Sequence, residues 1–362
     1  MSEDVAAAVR AAIEDHGPIG FDEYMQIVLY GPGGFFEAPP VGADGHFVTA
    51  PHVHPFVFAR CIRAAILQAW TALGEPDPLP IVELGAGDGS LAEPLLEAFG
   101  ELPEPTPAYM GVEISIGARA ALGARGLQAV ERLDELEPFE GVLLANELLD
   151  NLPFVLVRRS DDGVREVRVG LEAGALAEVE VAWSRGPEPP RLRYGEDAVV
   201  PVGAMTMLDV LSTRLRRGYV VLIDYGGEGV HGYRAHRRVT DVLTEPGETD
   251  ITAGVDPTAV ADHARELGLQ AFGPVPQADA LAALGLFRWE RAMRDRQERL
   301  QREGRRAEAT SIWETRSRAS LLTDPAHFGG FWWLALATKG LPAPDWLELG
   351  DTDGSRRRAD TG

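Results

Sequence analysis

From residue 81 onward, short apolar runs alternate with segments of helical spacing, the pattern of a sheet whose strands are buried on both faces. The strand candidates are residues 81–84, 109–113, 127–130, 142–145 and 219–223, with 269–272 as a sixth and FWWLALA at 331–337 as an antiparallel last strand. Helices fit between most of them, and segments 205–216 and 256–267 flank the fifth, so the alternation predicts a mostly parallel sheet. Residues 154–184 break the rhythm. Their period of two, with turns at Asp161-Asp162-Gly163 and Glu172-Ala173-Gly174, predicts an antiparallel insertion.

Ahead of the sheet, residues 3–15 and 21–30 have helical spacing, the second closed by Gly31-Pro32-Gly33-Gly34. A loop rich in Gly, Pro and His covers 31–54, and a helix over 55–73 follows. The predicted organisation is an N-terminal helical cap and lid loop (1–75), an α/β unit (76–275) with its insertion at about 154–200, C-terminal helices with the last strand (276–349) and a polar, disordered tail (350–362). Residues 288–318 are dense in Arg and Glu. They read as a solvated helical pair laced with ion pairs rather than a dedicated binding surface.

The most specific stretch is IVELGAGDGSL at 81–91, where the first strand enters a loop carrying Gly85, Gly87 and Gly89, with Glu83 two residues before the first glycine. Glycines at every second position let the backbone turn tightly and approach a ligand, and the following helix adds partial positive charge. The third glycine of a dinucleotide GxGxxG loop would fall at Ser90, and no GxxxxGK[ST] phosphate loop exists. An acid before GxGxG is the pattern of S-adenosyl-L-methionine (SAM) methyltransferases, with an NAD fold and an ordinary glycine turn as the alternatives.

Charge narrows the partners. The 362 residues carry a net charge of −22, which excludes a generic nucleic-acid surface and leaves a basic protein segment as an attractive partner. Of 34 basic residues only Lys339 is a lysine, so lysine-based covalent chemistry is nearly ruled out. The single Cys61 excludes an internal disulfide and a Cys-rich zinc site, which fits a reducing compartment. No secretory pattern opens the chain and no apolar run is long enough to span a bilayer, so a soluble cytoplasmic protein is expected. His46, His52 and His54 lack nearby cysteines and read as lid or packing residues, with no metal expected.

Polar residues follow the strands where ligands of open parallel sheets sit. Glu113 ends the second strand, 24 residues after Gly89, where a carboxylate can accept ribose hydroxyls. Asn146 and Glu147 follow the fourth strand and lead into Asp150, while Asp224-Tyr225 ends the fifth. Methyl transfer needs alignment and dryness more than acid–base power, so acids become useful when the acceptor is itself a cation. Glu147, Asp150 or Asp224 could hold a guanidinium bidentately.

Several segments together resemble the MidA methyltransferase family: GPIGFDEYMQIVLYGPGGFF (17–36), HFVTAP (46–51), VELGAGDGSL (82–91), GVEIS (111–115), ANELLDNLP (145–153), VVLIDYG (220–226), GYRAHR (232–237) and EPGETDITAGVD (245–256). The resemblance implies an α/β class I methyltransferase fold, a Rossmann-like doubly wound mostly parallel sheet, binding SAM. It also implies methylation of an arginine or other nitrogen on a protein, since the family's mitochondrial member is understood as a protein arginine methyltransferase that assists complex I assembly. The candidate cofactor contacts are Glu83, Gly85, Ala86, Gly87, Gly89, Glu113, Ile114 and Asn146, and the acceptor side takes Asn146, Glu147, Asp150 and Asp224. Tyr24, Tyr30, Thr49, His52, Tyr225, Tyr233, Arg234 and His236 are substrate or lid candidates, with Asp250, Ile251 and Thr252 beside them. Expected partners are a protein substrate with a basic segment, neither nucleic acid nor membrane, with homodimerisation open.

The departures lie on the substrate side. His52 and His54 stand where the family usually has an acid and a serine, and Leu148-Leu149 replace its aromatic pair after NE; the usual TLR is absent around Val230-His231. They keep two alternatives open: a non-catalytic assembly or interaction protein on the same fold, and a small-molecule O- or N-methyltransferase.

Overall fold

The computed structural model describes residues 2–37, 49–185, 192–227, 229–234 and 237–348. The chain opens with α1 (Ser2–His16), a short β1 (Ile19–Gly20) and α2 (Phe21–Met25), followed by a π-helical turn over Gln26–Tyr30. The single helix expected over 21–30 is therefore two pieces. An extra residue in the π turn changes which way Tyr30 faces relative to the apolar stripe before it. After the short α3 (Ala50–Val53) comes α4 (Pro55–Ala72), started by proline at its first position.

The first half of the sheet follows as β2 (Leu79–Leu84), α5 (Ala92–Phe99), β3 (Pro107–Val112), α6 (Ile116–Ala124), β4 (Ala129–Val130) and β5 (Phe139–Asn146). The insertion supplies β6 (Val155–Ser160), β7 (Gly163–Glu172), β8 (Ala175–Ala182) and β9 (Asp197–Val200). Then α7 (Val202–Arg214) leads to β10 (Leu215–Asp224), and β11 (His231–Arg234), β12 (Arg237–Val239) and β13 (Asp250–Thr252) form a small antiparallel sheet. The chain continues through α8 (Pro257–Glu266), β14 (Gln270–Pro276), α9 (Gln277–Ala283), α10 (Leu286–Arg302), α11 (Arg306–Ala319) and β15 (Trp332–Ala337).

The main sheet runs β14-β15-β10-β5-β2-β3-β4. Pairings from β10 to β4 are parallel, while β15 is antiparallel to both neighbours, as expected for the last strand. Strand period sorts its residues between two cores. Tyr219, Val221, Ile223, Trp333 and Ala335 face α4, α5 and α9; Val220, Leu222, Leu334 and Leu336 face α7 and α8. Because α4 lies in the first of these cores, it belongs to the sheet rather than to the cap that precedes it in sequence.

The cap shares a third core with the insertion. Val5, Val9, Phe21, Tyr24 and Met25 pack on Phe154, Leu156, Val167 and Val169, and on Val242 and Ile251 from the small-sheet region. Pairing of β1 with β7 fixes the union, Ile19 opposite Val169. The sequence order reverses direction between β2 and β5, so the crevice at their carboxyl ends is the topological switch point. The united cap and insertion stand beside it.

Candidate functional site

A cavity of about 360 Å3 opens at that switch point, within the size range of small-molecule sites. The loop after β2 lines it with Gly85, Ala86, Gly87, Asp88, Ser90 and Leu91; Glu113 and Ile114 arrive from β3, and Asn146, Glu147 and Leu148 from β5. Gly85 and Gly87 have φ of 65° and 54°, a left-handed backbone that side chains with a Cβ resist. A Cβ on Gly85 would stand 2.9 Å from Leu148 Cδ1, itself on the wall.

Glu113 ties the loop down. Its Oε2 accepts the Gly87 N–H at 2.8 Å and its Oε1 the Ser115 N–H at 2.8 Å. Burial raises its pKa against the lowering effect of those bonds. Glu83 lies deeper, accepting the Tyr109 hydroxyl at 2.6 Å, and burial pushes its pKa up to about 8. Gly89 does not line the cavity; it packs on Leu122 and Leu127 and lets the loop settle against α6.

Asn146 and Glu147 form the opposite corner. Glu147 is itself left-handed, φ 52°, an uncommon state for a glutamate and one found where a site over-determines the backbone. Its N–H donates to Ile223 O at 2.8 Å, fixing the turn to the end of β10. Its Oε1 accepts from Ala50 N at 2.9 Å and from Asn146 Nδ2 at 3.1 Å. Burial raises its pKa to about 8. Asn146 Oδ1 is buried and accepts nothing from the protein, a waiting acceptor in the cavity wall.

Tyr30, stacked on Phe36 at 5.5 Å between ring centroids, makes an aromatic wall together with Gln26, Thr49 and Pro51. Its hydroxyl donates to Asn151 O at 2.8 Å, so the ring is held. Among the described residues six acids but one arginine, Arg132, line the cavity: Glu83, Asp88, Glu113, Glu131, Asp134 and Glu147. Ionised, as Glu83 and Glu147 become when pH rises toward and above 8, such a lining favours a cation and repels an anion.

Asp150 and Asp224 lie behind this wall rather than on it. Asp224 is fully buried and accepts the backbone N–H groups of Leu149 (2.7 Å), Asp150 (3.4 Å) and Tyr225 (2.8 Å), which clamps the turn carrying Glu147. Asp150 accepts the Thr252 hydroxyl at 2.6 Å, and Thr252 is also bonded to Tyr225 Oη. Asn151 Nδ2 donates to Asp250 Oδ1 at 2.7 Å. Burial holds Asp150, Asp224 and Asp250 above the usual carboxylate range, with the Asp150 charge adding to the effect on the other two.

The other substrate and lid candidates fall in several places. Tyr24 is in the third core, donating to Val242 O at 2.9 Å. His52 is bonded to Thr49 Oγ1 and His54 packs edge-on to Trp289, neither lining the cavity. Tyr225 supports Thr252, while Tyr233 and Arg234 lie on β11, the arginine paired with Glu245. His46 and His236 lie outside the described residues. Gln26, Phe36, Arg132, Leu133, Thr206, Met207 and Val210 also line the cavity, and sequence reading had not singled them out. Of these only Gln26 and Phe36 carried a signal, both lying inside the segment GPIGFDEYMQIVLYGPGGFF (17–36). Among the described residues no cluster of His, Cys, Asp and Glu is arranged to hold a metal, and no helix is long and apolar enough to cross a membrane.

The elevated carboxyls make a pH prediction. A folded pKa near 8 lies above the ordinary glutamate value of about 4.3, so Glu83 is mostly protonated at pH 7, and its share of stability, full below about pH 4.3, is lost progressively and is gone once pH has risen through about 8. A cation bound nearby lowers that pKa. Calorimetry with S-adenosyl-homocysteine, whose ammonium is positive, in two buffers of different ionisation enthalpy should therefore show proton release near pH 7. Glu83→Gln should reduce the release and flatten the fall in Tm between about pH 5 and 8; unchanged proton release would remove Glu83 from the ligand's surroundings.

Comparison with known proteins gives the same direction. Residues 61–275 match the profile of a family described as S-adenosyl-L-methionine-dependent methyltransferases. A Drosophila melanogaster protein named as a mitochondrial protein arginine methyltransferase NDUFAF7 homolog is 28% identical over 377 residues, covering 90% of this chain and 82% of its own. The Homo sapiens mitochondrial protein arginine methyltransferase NDUFAF7 is 26% identical over 321 residues, 76% of this chain and 71% of its own. A Burkholderia thailandensis protein crystallised with S-adenosyl-homocysteine superposes with a TM-score of 0.81 at 28% identity, covering 94% of this chain and 93% of that one.

Proposed function

The chain belongs to that family of SAM-dependent methyltransferases, and from this premise we propose that it methylates an arginine side chain of a protein. SAM supplies a methyl group activated by positive sulfur. Asn146 Oδ1 is suited to accept the cofactor's ammonium, Glu113 its ribose hydroxyls, and Ile114 and Leu133 offer apolar contact for the base.

The observation that carries the acceptor reading is Glu147. It is half-buried just past the end of β5, with Oε1 taken by Ala50 and Asn146, leaving Oε2 for a ligand. A guanidinium in front of it meets a carboxylate on one side and the Tyr30–Phe36 rings on another, the two surfaces a planar delocalised cation favours. The guanidinium nitrogen that gains the methyl group must lose a proton, and a carboxyl with pKa near 8 is matched to receive it. The names of the NDUFAF7 relatives support arginine as the acceptor and protein as its carrier. The lone buried Cys61 supports a reducing, cytoplasmic site of action.

Incubation with methyl-labelled SAM and cell extract, followed by mass spectrometry, tests this reading. Label on protein arginine is the expected result. Label on a metabolite would replace the protein acceptor by a small molecule, and label on nothing would favour a non-catalytic assembly protein.

A further inference from the structure

The helices α10 and α11 form a hairpin that contributes little to the core. Over its 34 residues only Leu286, Leu300, Ala309 and Ala319 are buried. The hairpin carries ten arginines against six acids, inside a chain of net charge −22. Internal pairing does not consume this excess. Arg305 pairs with Glu303 and Glu308, and Arg316 donates to Gln297, whereas among the described residues Arg291, Arg294, Arg299 and Arg306 make no ion pair. The expected lattice of ion pairs is thus only partly built.

Two further features separate this surface from a merely solvated one. Between the helices lies a second cavity of about 490 Å3, lined by Gln297, Gln301, Arg306, Ala309, Thr310 and the 55%-exposed Trp313. An aromatic residue beside arginines is the composition that dominates protein interfaces. The base of the hairpin is also anchored beside the catalytic cavity. Trp289 packs edge-on against His54, and the turn after α11 contacts α3, whose neighbour Thr49 and member Pro51 line the cavity. From Trp289 to its end at Arg302, α10 extends the reach from that anchor by about 20 Å at 1.5 Å rise per residue.

We propose that the α10–α11 hairpin is a docking arm for an acidic, amphipathic segment of the acceptor protein, its carboxylates on the unpaired arginines and an apolar side chain in the Trp313 groove. The inference rests on the protein-acceptor reading. Charge complementarity chooses the occupant: the hairpin carries an excess of arginine while the rest of the molecule is still more acidic than the whole, so an acidic segment is drawn to the arm rather than to the body. It would also repel RNA from the body of the protein.

The test uses the full chain and a fluorescein-labelled, Glu-rich amphipathic 20-residue peptide with leucine at helical spacing. Saturable binding is expected, weakening as salt rises, and at least tenfold weaker in an Arg299→Glu/Arg306→Glu double variant and in Trp313→Ala. Calorimetry with S-adenosyl-homocysteine should be unchanged in both, which certifies folding. In the extract-labelling assay the double variant should lower protein label at least tenfold. Equal peptide binding by variant and wild type, tighter binding of polyuridylate RNA than of the peptide, or a double variant whose only change is lost self-association in sedimentation would each overturn the docking arm. If extract proteins take no label from wild type while the peptide result holds, it is the acceptor reading that fails.

Discussion

Gly85→Val should fold and fail to bind cofactor. At φ 65° a β-branched residue costs about 1–3 kcal/mol of backbone strain, and the new Cβ meets Leu148 Cδ1 at 2.9 Å. That leucine can yield, which is why the fold survives. It yields at the cavity, however, because Leu148 is part of the wall opposite the loop. Strain and a displaced wall together should weaken S-adenosyl-homocysteine binding at least 100-fold in calorimetry, with a Tm several degrees lower. Gly126→Ala is the control: its φ is 76° with open space around a new Cβ, and it is not on the cavity. The control should lose a similar Tm and no affinity. If Gly85→Val binds like wild type, the β2 loop is not the cofactor cradle.

That loop was readable because its chemistry is local. Three alternate glycines after a buried strand announce a tight approach, and all three are left-handed. The sheet was readable for the same reason: runs such as VVLI in β10 and WWLALA in β15 are apolar on both faces, so their period needs no partner to be seen. The rest of the site was not local. Tyr24 and Tyr30 stand six residues apart in one apolar segment, and sequence could not separate them; the π turn does, leaving Tyr24 in the core and sending Tyr30 to the cavity. Asp224 and Glu147 both follow buried strands, yet three backbone N–H groups claim Asp224 and turn it into a clamp. Met207 and Val210 reach the cavity from α7, the helix that follows the insertion, with no motif to mark them. The union of cap and insertion was equally hidden, because β1 is two residues long and its pairing with β7 joins segments about 150 positions apart.

Glu147→Gln separates holding the acceptor from holding the cofactor. The amide oxygen can still accept the Ala50 N–H, and the left-handed turn clamped by Asp224 keeps its shape, so S-adenosyl-homocysteine affinity should stay within about threefold of wild type. What the amide lacks is charge and the capacity to take a proton. Loss of a positioned general base costs about 10²–10⁴ in rate, and the variant should lose kcat/KM on that scale. The pH profile adds a readout that simple misfolding cannot imitate. With its pKa near 8, Glu147 is mostly protonated at pH 7, so wild-type kcat/KM should climb as pH rises toward 8 and beyond; the residual activity of the variant should lack that limb. Glu147→Asp, which keeps the carboxyl but shortens it by one carbon, should recover part of the rate and the limb. A Glu147→Gln protein that transfers label at the wild-type rate would leave the carboxyl as a strap for Ala50 and nothing more, and the base would have to be sought elsewhere on the cavity wall.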